Sequence, residues 1–149
     1  MQHVQTRSTT SALVLTAVLI ALATLFTMYT KIPVPGIRGY FNVGDVVIMT
    51  SALLLGRKYG AYIGAIGPAL ADLFLGYAVF VPITFVVKGI EGYLVGTVYN
   101  HKTTTSALVA TIVGGITIVA GYFIAEYFVF DPGVAIAGIV TNTIQAVMS

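Results

Sequence analysis

Cysteine is absent from this 149-residue chain, and histidine occurs only at His3 and His101. The first absence excludes a disulfide framework, a thiol nucleophile and an iron–sulfur site. The second removes intramembrane serine proteolysis and zinc chemistry, because both need histidines at membrane depth or at ligand spacing. One histidine is near the terminus and the other lies between two apolar runs, so no metal is expected. No glycine-rich nucleotide-binding loop is present either, which leaves the chain without a cofactor and without a means of hydrolysing ATP; it is not expected to be an enzyme. Charge is equally scarce. Only 8% of residues are charged, against about 25% in a soluble domain. The net charge of +2 is small and scattered, which argues against a nucleic-acid partner.

What remains is apolar: 58% hydrophobic residues and a mean hydropathy of +0.98. Polar material this sparse cannot cover a protein in water, so lipid must cover it instead. The length fits one domain, 1–149, and the fold class is an all-α integral membrane bundle of about six helices. Apolar runs broken by Pro, Gly and charged residues predict helices over 9–30, 43–55, 59–75, 82–100, 105–128 and 134–149. The abrupt end at Ser149 predicts a shortened sixth helix. The first apolar run, 12–28, is longer than a signal-peptide core of about 7–15 residues, so it is expected to stay as a helix. With the N-terminus inside, Arg7, Arg57, Lys58 and Lys102 fall on the inner side and Lys31 and Arg38 outside. That bias places both ends in the cytoplasm of a cell membrane.

The second helix is too short to cross. About 13 residues span about 20 Å of a hydrocarbon core about 30 Å thick. The preceding segment, 31–42, must dip inward to meet it, and irregular backbone at that depth survives only against protein or a cavity. Rich in Pro33, Pro35, Gly36 and Gly39, this segment is a candidate lid over an outer pocket; the competing reading is an ordinary exposed connector. The third helix carries small residues at steps of four from Gly56 to Gly76, a pattern for close packing. Ala17 and Ala21 form a shorter small-residue patch on the first helix.

An ionisable side chain at the centre of a spanning helix costs about 2.5–3.5 kcal/mol, so each one here is informative. Lys88 and Glu91 are three residues apart on the fourth helix and close enough to pair. They serve either as a self-satisfied pair that fixes helix register or as the polar anchor of a pocket. Asn142 and Gln145 repeat that spacing on the sixth helix, where amides suit a neutral heteroaromatic ligand or simply join helices. Glu126 lies four residues beyond Tyr122. Asp45 is a helix cap or a ligand contact, and Asp72 a ligand contact or an interhelical tie. Tyr40, Phe41 and Asn42 precede the second helix, and Tyr77, Phe80, Phe85 and Tyr93 flank the fourth. Apolar walls with a few convergent polar groups describe a small-molecule site.

The stretch Tyr40-Phe-Asn-Val-Gly-Asp-Val-Val-Ile-Met49, then Ala52-Leu-Leu-Leu-Gly56, Ala71-Asp72 and Lys88-Gly-Ile-Glu-Gly92, resembles the substrate-specific S components of energy-coupling factor (ECF) vitamin transporters. The similarity covers nearly the whole chain and is greatest to the riboflavin-type subgroup, which includes hydroxymethylpyrimidine and pyridoxine S components. The resemblance implies six membrane helices, a vitamin or precursor bound near the outer surface, and partnership with a transmembrane T component and two cytosolic ATPases. It implies contact with the T component at Ala17 and Ala21, a gating role for segment 31–42, and a pocket that fits Lys88, Glu91, Asn142 and Gln145; the residues themselves add Glu126 as an alternative acceptor, Tyr40 or Phe41 as a cover over a ring face, and Asn42 beside them. In another class stand a free-standing ion-coupled carrier, with Lys88 and Glu91 as a proton relay, and a purely structural membrane subunit.

Overall fold

The apolar runs become helices whose ends are set by a few residues with special backbone or capping chemistry. The computed structural model describes residues 9–33, 40–99 and 103–149. Its elements are α1 (Thr9–Tyr29), β1 (Ile32–Pro33), β2 (Tyr40–Phe41), α2 (Asp45–Leu55), α3 (Arg57–Phe74), α4 (Phe80–Val98), α5 (Thr104–Val129) and α6 (Pro132–Met148). The two strands form an antiparallel pair, Ile32 facing Phe41 and Pro33 facing Tyr40. Segment 34–39, the larger part of the expected lid, and segment 100–102, expected on the inner side, lie outside the described residues, as do Arg7 and His3.

The differences from the sequence-predicted boundaries have local causes. Helix α2 starts at Asp45 rather than 43, because the Asn42 side chain accepts from the Gly44 amide at 2.8 Å and holds the chain in an Asx turn. Helix α3 starts at Arg57 because Gly56, at φ +87°, makes the whole break from α2. It ends in a Schellman motif: Gly76 has φ +82°, and the Tyr77 and Gly76 amides bond back to Asp72 and Leu73. Helix α4 begins at Phe80, two residues before Pro82, since a first-turn amide has no intrahelical partner to lose. Asp131 caps α6 by accepting from the Gly133 and Val134 amides.

Among the described residues, segments Thr10–Tyr29, Phe80–Val98 and Thr104–Val129 are long and apolar enough to cross a membrane; α2 and α6 are shorter apolar helices. Large apolar side chains stand on the outer surfaces, as with Leu13 on α1 and Phe128 on α5. The helices form a row, α1–α3–α4–α5–α6, with α2 wedged against α1, α3 and α4. Contact is most extensive between α3 and α4, where Gly60 and Gly92 each lie against the other's carbonyl and Gly64 lies under the carbonyl of Lys88. With no side chain in the way, the two backbones touch, as small-residue faces allow. This close approach fixes the height of Lys88. Asp45 meets that lysine eight residues below the start of α4, about 12 Å along the helix. Helix α2 therefore begins inside the bundle, as its short length required.

Candidate functional site

Two polar layers lie between the β1–β2 hairpin and the middle of the bundle. The deeper one centres on Lys88, 2% exposed, whose ammonium sits 2.6 Å from both carboxylate oxygens of Asp45. Glu91, on the next turn of α4, is 3.3 Å from the same nitrogen but makes no aligned hydrogen bond with it. Gln145 of α6 then joins three elements: its Nε2 donates to Asp45 at 2.7 Å, and its Oε1 accepts from the Asn42 backbone amide at 3.2 Å. A buried cation is tolerable only with such partners.

The sequence spacing thus identified the lysine and a real neighbour, Glu91, yet the principal counter-ion is Asp45, forty-three residues away. Asp45 does not serve as the cap of α2, whose N-terminus has no side-chain cap hydrogen bond. No sequence pattern links it to Lys88, since the contact depends on how deep α2 starts. Glu91 sits behind Lys88 against α5, near Gly114, and is not among the cavity-lining residues.

The shallower layer is a hydrogen-bond chain through Asp72 of α3. Its carboxylate accepts from the Tyr40 phenol and from the Thr84 hydroxyl, each at 2.5 Å. Because Thr84 has one hydrogen and gives it to Asp72, the Tyr122 phenol donates to Thr84 at 3.0 Å. Burial first, and then the neighbouring Asp72 carboxylate, push the Tyr40 phenol far above its ordinary pKa. It stays a donor and ties β2 to α3. Tyr77 packs beside Tyr40, with ring centroids 5.0 Å apart, and Lys31 stands over both rings. Phe80 joins this aromatic group.

Between the layers is a cavity of about 40 Å³. It is walled by Thr27 of α1, Pro68 and Asp72 of α3, Tyr77, Thr84 and Lys88, Tyr122 and Glu126 of α5, and Thr141, Asn142 and Gln145 of α6, with Tyr40 and Asn42 above. Three of these side chains carry a buried polar atom with no partner among the described residues: Thr27 Oγ1, Glu126 Oε2 and Asn142 Nδ2. They are 1%, 5% and 8% exposed. Buried polar atoms are rarely left unpaired, since each costs about 1–3 kcal/mol. Three on one cavity leave hydrogen-bonding capacity that a polar guest, water included, would satisfy.

Most residues singled out from the sequence gather here: Tyr40, Asn42, Lys88, Glu126, Asn142 and Gln145. The Phe41 side chain lies outside what is described. Phe85 and Tyr93 are half exposed and face away. Thr27, Thr84 and Thr141 escaped sequence reasoning because threonines are ordinary in membrane helices and carry no periodic signal. On α1, Ala17 and Ala21 are exposed, whereas Thr16, Ala23, Thr24 and Thr27 are buried.

Comparison with known proteins agrees with this architecture. The family described as ECF-type riboflavin transporter, S component, matches residues 7–149. The chain is similar to a thiamine precursor transporter, HmpT, of Lactococcus lactis subsp. cremoris strain MG1363, with 32% identity over 135 residues, 89% of this chain and 75% of that protein. It is also similar to an uncharacterised protein of Pyrococcus woesei, with 41% identity over 127 residues, 83% of this chain and 84% of the relative. A family match over almost the full length, on a bundle of apolar helices, makes the chain a member of the ECF-type riboflavin transporter S-component family, a membrane-embedded family of transporter subunits.

Proposed function

We propose that this chain is a single-domain substrate-binding subunit that captures a small aromatic vitamin or vitamin precursor from outside and hands it inward with a T component and two cytosolic ATPases. Hydroxymethylpyrimidine and pyridoxine are the favoured substrates, and the thiamine-precursor relative supports the first. The observation that carries the reading is the convergence of three unpartnered, buried polar atoms on one cavity beneath an outer hairpin. ATP hydrolysis belongs to the partner subunits. Both termini lie in the cytoplasm of a prokaryotic plasma membrane, and the exposed Ala17–Ala21 face is the surface for the T component.

Mass spectrometry of small molecules co-purifying with the detergent-solubilised protein, followed by calorimetric titration of the compounds found, tests the binding role. Saturable binding of an aromatic vitamin or precursor is expected; no saturable binding to any of them overturns it. Lys88 held between two carboxylates favours one competing reading, a proton-coupled carrier. Uptake by the chain alone in vesicles bearing a proton gradient establishes that reading in place of the powered complex.

A further inference from the structure

The two amides on α6 have different duties. Gln145 turns both acceptor sites of its carbonyl oxygen inward, one to the Asn42 backbone amide at 3.2 Å and one to the Asn42 side-chain nitrogen at 3.5 Å. Its Nε2 donates to Asp45 at 2.7 Å. Asn142, one turn away, keeps an unpartnered Nδ2 at the cavity. The first amide is committed to the protein and the second is free for a guest.

Residues 40–45, which carry the chain from β2 into α2, are held unequally on their two sides. Toward α1, α3 and α4 they are tied by the Val43 amide on Thr30 at 3.1 Å, by Tyr40 on Asp72 and by the Lys88–Asp45 pair. Toward α6, every hydrogen bond among the described residues comes from Gln145. Helix α6 packs chiefly on α5, where Ala146 meets Gly115 and Gly138 meets Glu126. Its far face carries exposed Ile136, Val140 and Val147. The α3–α4 wall, by contrast, is closed backbone to backbone at Gly60, Gly64 and Gly92. The space between these walls is about 40 Å³, whereas about 150 Å³ houses one benzene-sized ring. A ring enters only if two walls part, and the boundary with fewest ties runs between α6 and residues 40–45.

We propose that the cavity opens along this boundary and that Gln145 is its clasp, a positioning residue that acts on a guest through Asn42 and Asp45. The hairpin stays with α1, α3 and α4 while α6 draws away with Asn142. On closing, the clasp returns the free Asn142 donor to the guest. For ligand exchange the proposal rests on the binding-subunit reading, whereas the clasp itself is a property of the empty protein. A clasp that shuts the empty and the loaded protein alike slows entry and exit together and leaves the equilibrium affinity unchanged. A residue that touches the guest acts mainly on release.

The chain has no cysteine, so spin labels can be placed in chosen pairs. Ile32→Cys with Val140→Cys spans the hairpin and α6, and Ile32→Cys with Tyr62→Cys is the reference across to α3; all three positions are exposed. Double electron–electron resonance on the ligand-free protein in lipid nanodiscs reads both distances, and circular dichroism confirms that each variant folds. Gln145→Met removes both bonds at nearly constant size, and Gln145→Glu replaces the donor to Asp45 with an acceptor. Each should shift part of the first distribution to longer distances and leave the reference pair unchanged. Asn142→Leu, which breaks no hydrogen bond among the described residues, should alter neither pair. Rapid-filtration exchange of radiolabelled hydroxymethylpyrimidine and pyridoxine gives the second readout. Association and release should both be at least about tenfold faster in Gln145→Met, since a hydrogen bond to a charged group is lost, with affinity kept within about threefold. Unchanged hairpin–α6 distances in both folded variants, or equal broadening of the two pairs, overturn the proposal. Faster release with unchanged association makes Gln145 a ligand contact and overturns it as well. Failure of both compounds to bind sinks the binding-subunit reading, and the distances then decide the clasp alone.

Discussion

Replacing Asp45 by Asn should cost far more than replacing Glu91 by Gln, although both carboxylates touch the same lysine. Coulomb attraction alone does not separate them. At an effective dielectric constant of about 20 it amounts to about 6 kcal/mol at 2.6 Å and about 5 kcal/mol at 3.3 Å. Hydrogen bonding does. Asp45 accepts twice from Lys88 and once from Gln145, whereas neither oxygen of Glu91 has an aligned donor. Asp45→Asn turns one acceptor into a donor aimed at an ammonium or at the Gln145 amide. Breaking a buried pair in this way costs about 3–5 kcal/mol, and because Glu91 remains as a second counter-ion, the low end is expected. Glu91→Gln removes a carboxylate in excess of the one cation and leaves Lys88 paired with Asp45, so its cost should fall well below that of Asp45→Asn.

The chain has neither Trp nor Cys, so melting is best followed by far-ultraviolet circular dichroism in mild detergent. A loss of about 3 kcal/mol corresponds to a fall of about 6–12 °C for a chain of this size. Asp45→Asn with Lys88→Met, which discharges the site, should recover at least half of the fall. Equal losses for Asp45→Asn and Glu91→Gln, or no recovery in the double variant, would refute the reasoning.

Four more outcomes are expected. Tyr40→Phe removes a hydrogen bond to a carboxylate, of a type worth about 1.5–3 kcal/mol; stopped-flow release of bound ligand should quicken at least tenfold while helix content is unchanged. Gly64→Ala places a methyl group against the Lys88 carbonyl and should cost about 1–3 kcal/mol together with ligand affinity. Gly56→Ala, in open space at φ +87° and ψ 176°, should show only a backbone penalty of about 1–3 kcal/mol and bind normally. Leu at both Ala17 and Ala21 should impair co-purification with the T component and spare ligand binding; intact assembly would remove that face as the docking surface.

The helices were legible because each apolar run is closed by punctuation that acts locally: Gly56, Gly76, Asp131 with Pro132. The site was legible in part for a different reason. In an apolar chain a charge at membrane depth must have a purpose, which singled out Lys88, Glu91 and Glu126. Their partners were not legible. The Asp45–Lys88 and Tyr40–Asp72 contacts join segments 43 and 32 residues apart, and their meeting depends on the depth of α2 and the closeness of α3 to α4. Those are set by packing, which no spacing rule encodes. Thr27 illustrates the same limit: its hydroxyl has no partner among the described residues, a property visible only once every neighbour is in place.

The bonds of Gln145 to Asn42 and Asp45 span 103 and 100 residues, and this bears on the order of events during biosynthesis. A nascent chain that has released α2 to α4 into the bilayer can already form the Lys88–Asp45 pair and the α3–α4 contact, both of short sequence separation relative to the whole. The anchor that holds Asn42, and the wall bearing Asn142, arrive only with α6. Loop closure over such distances is the slow part of folding. The helices of the bundle can thus assemble before the cavity has its last wall, which is complete only once α6 is in place.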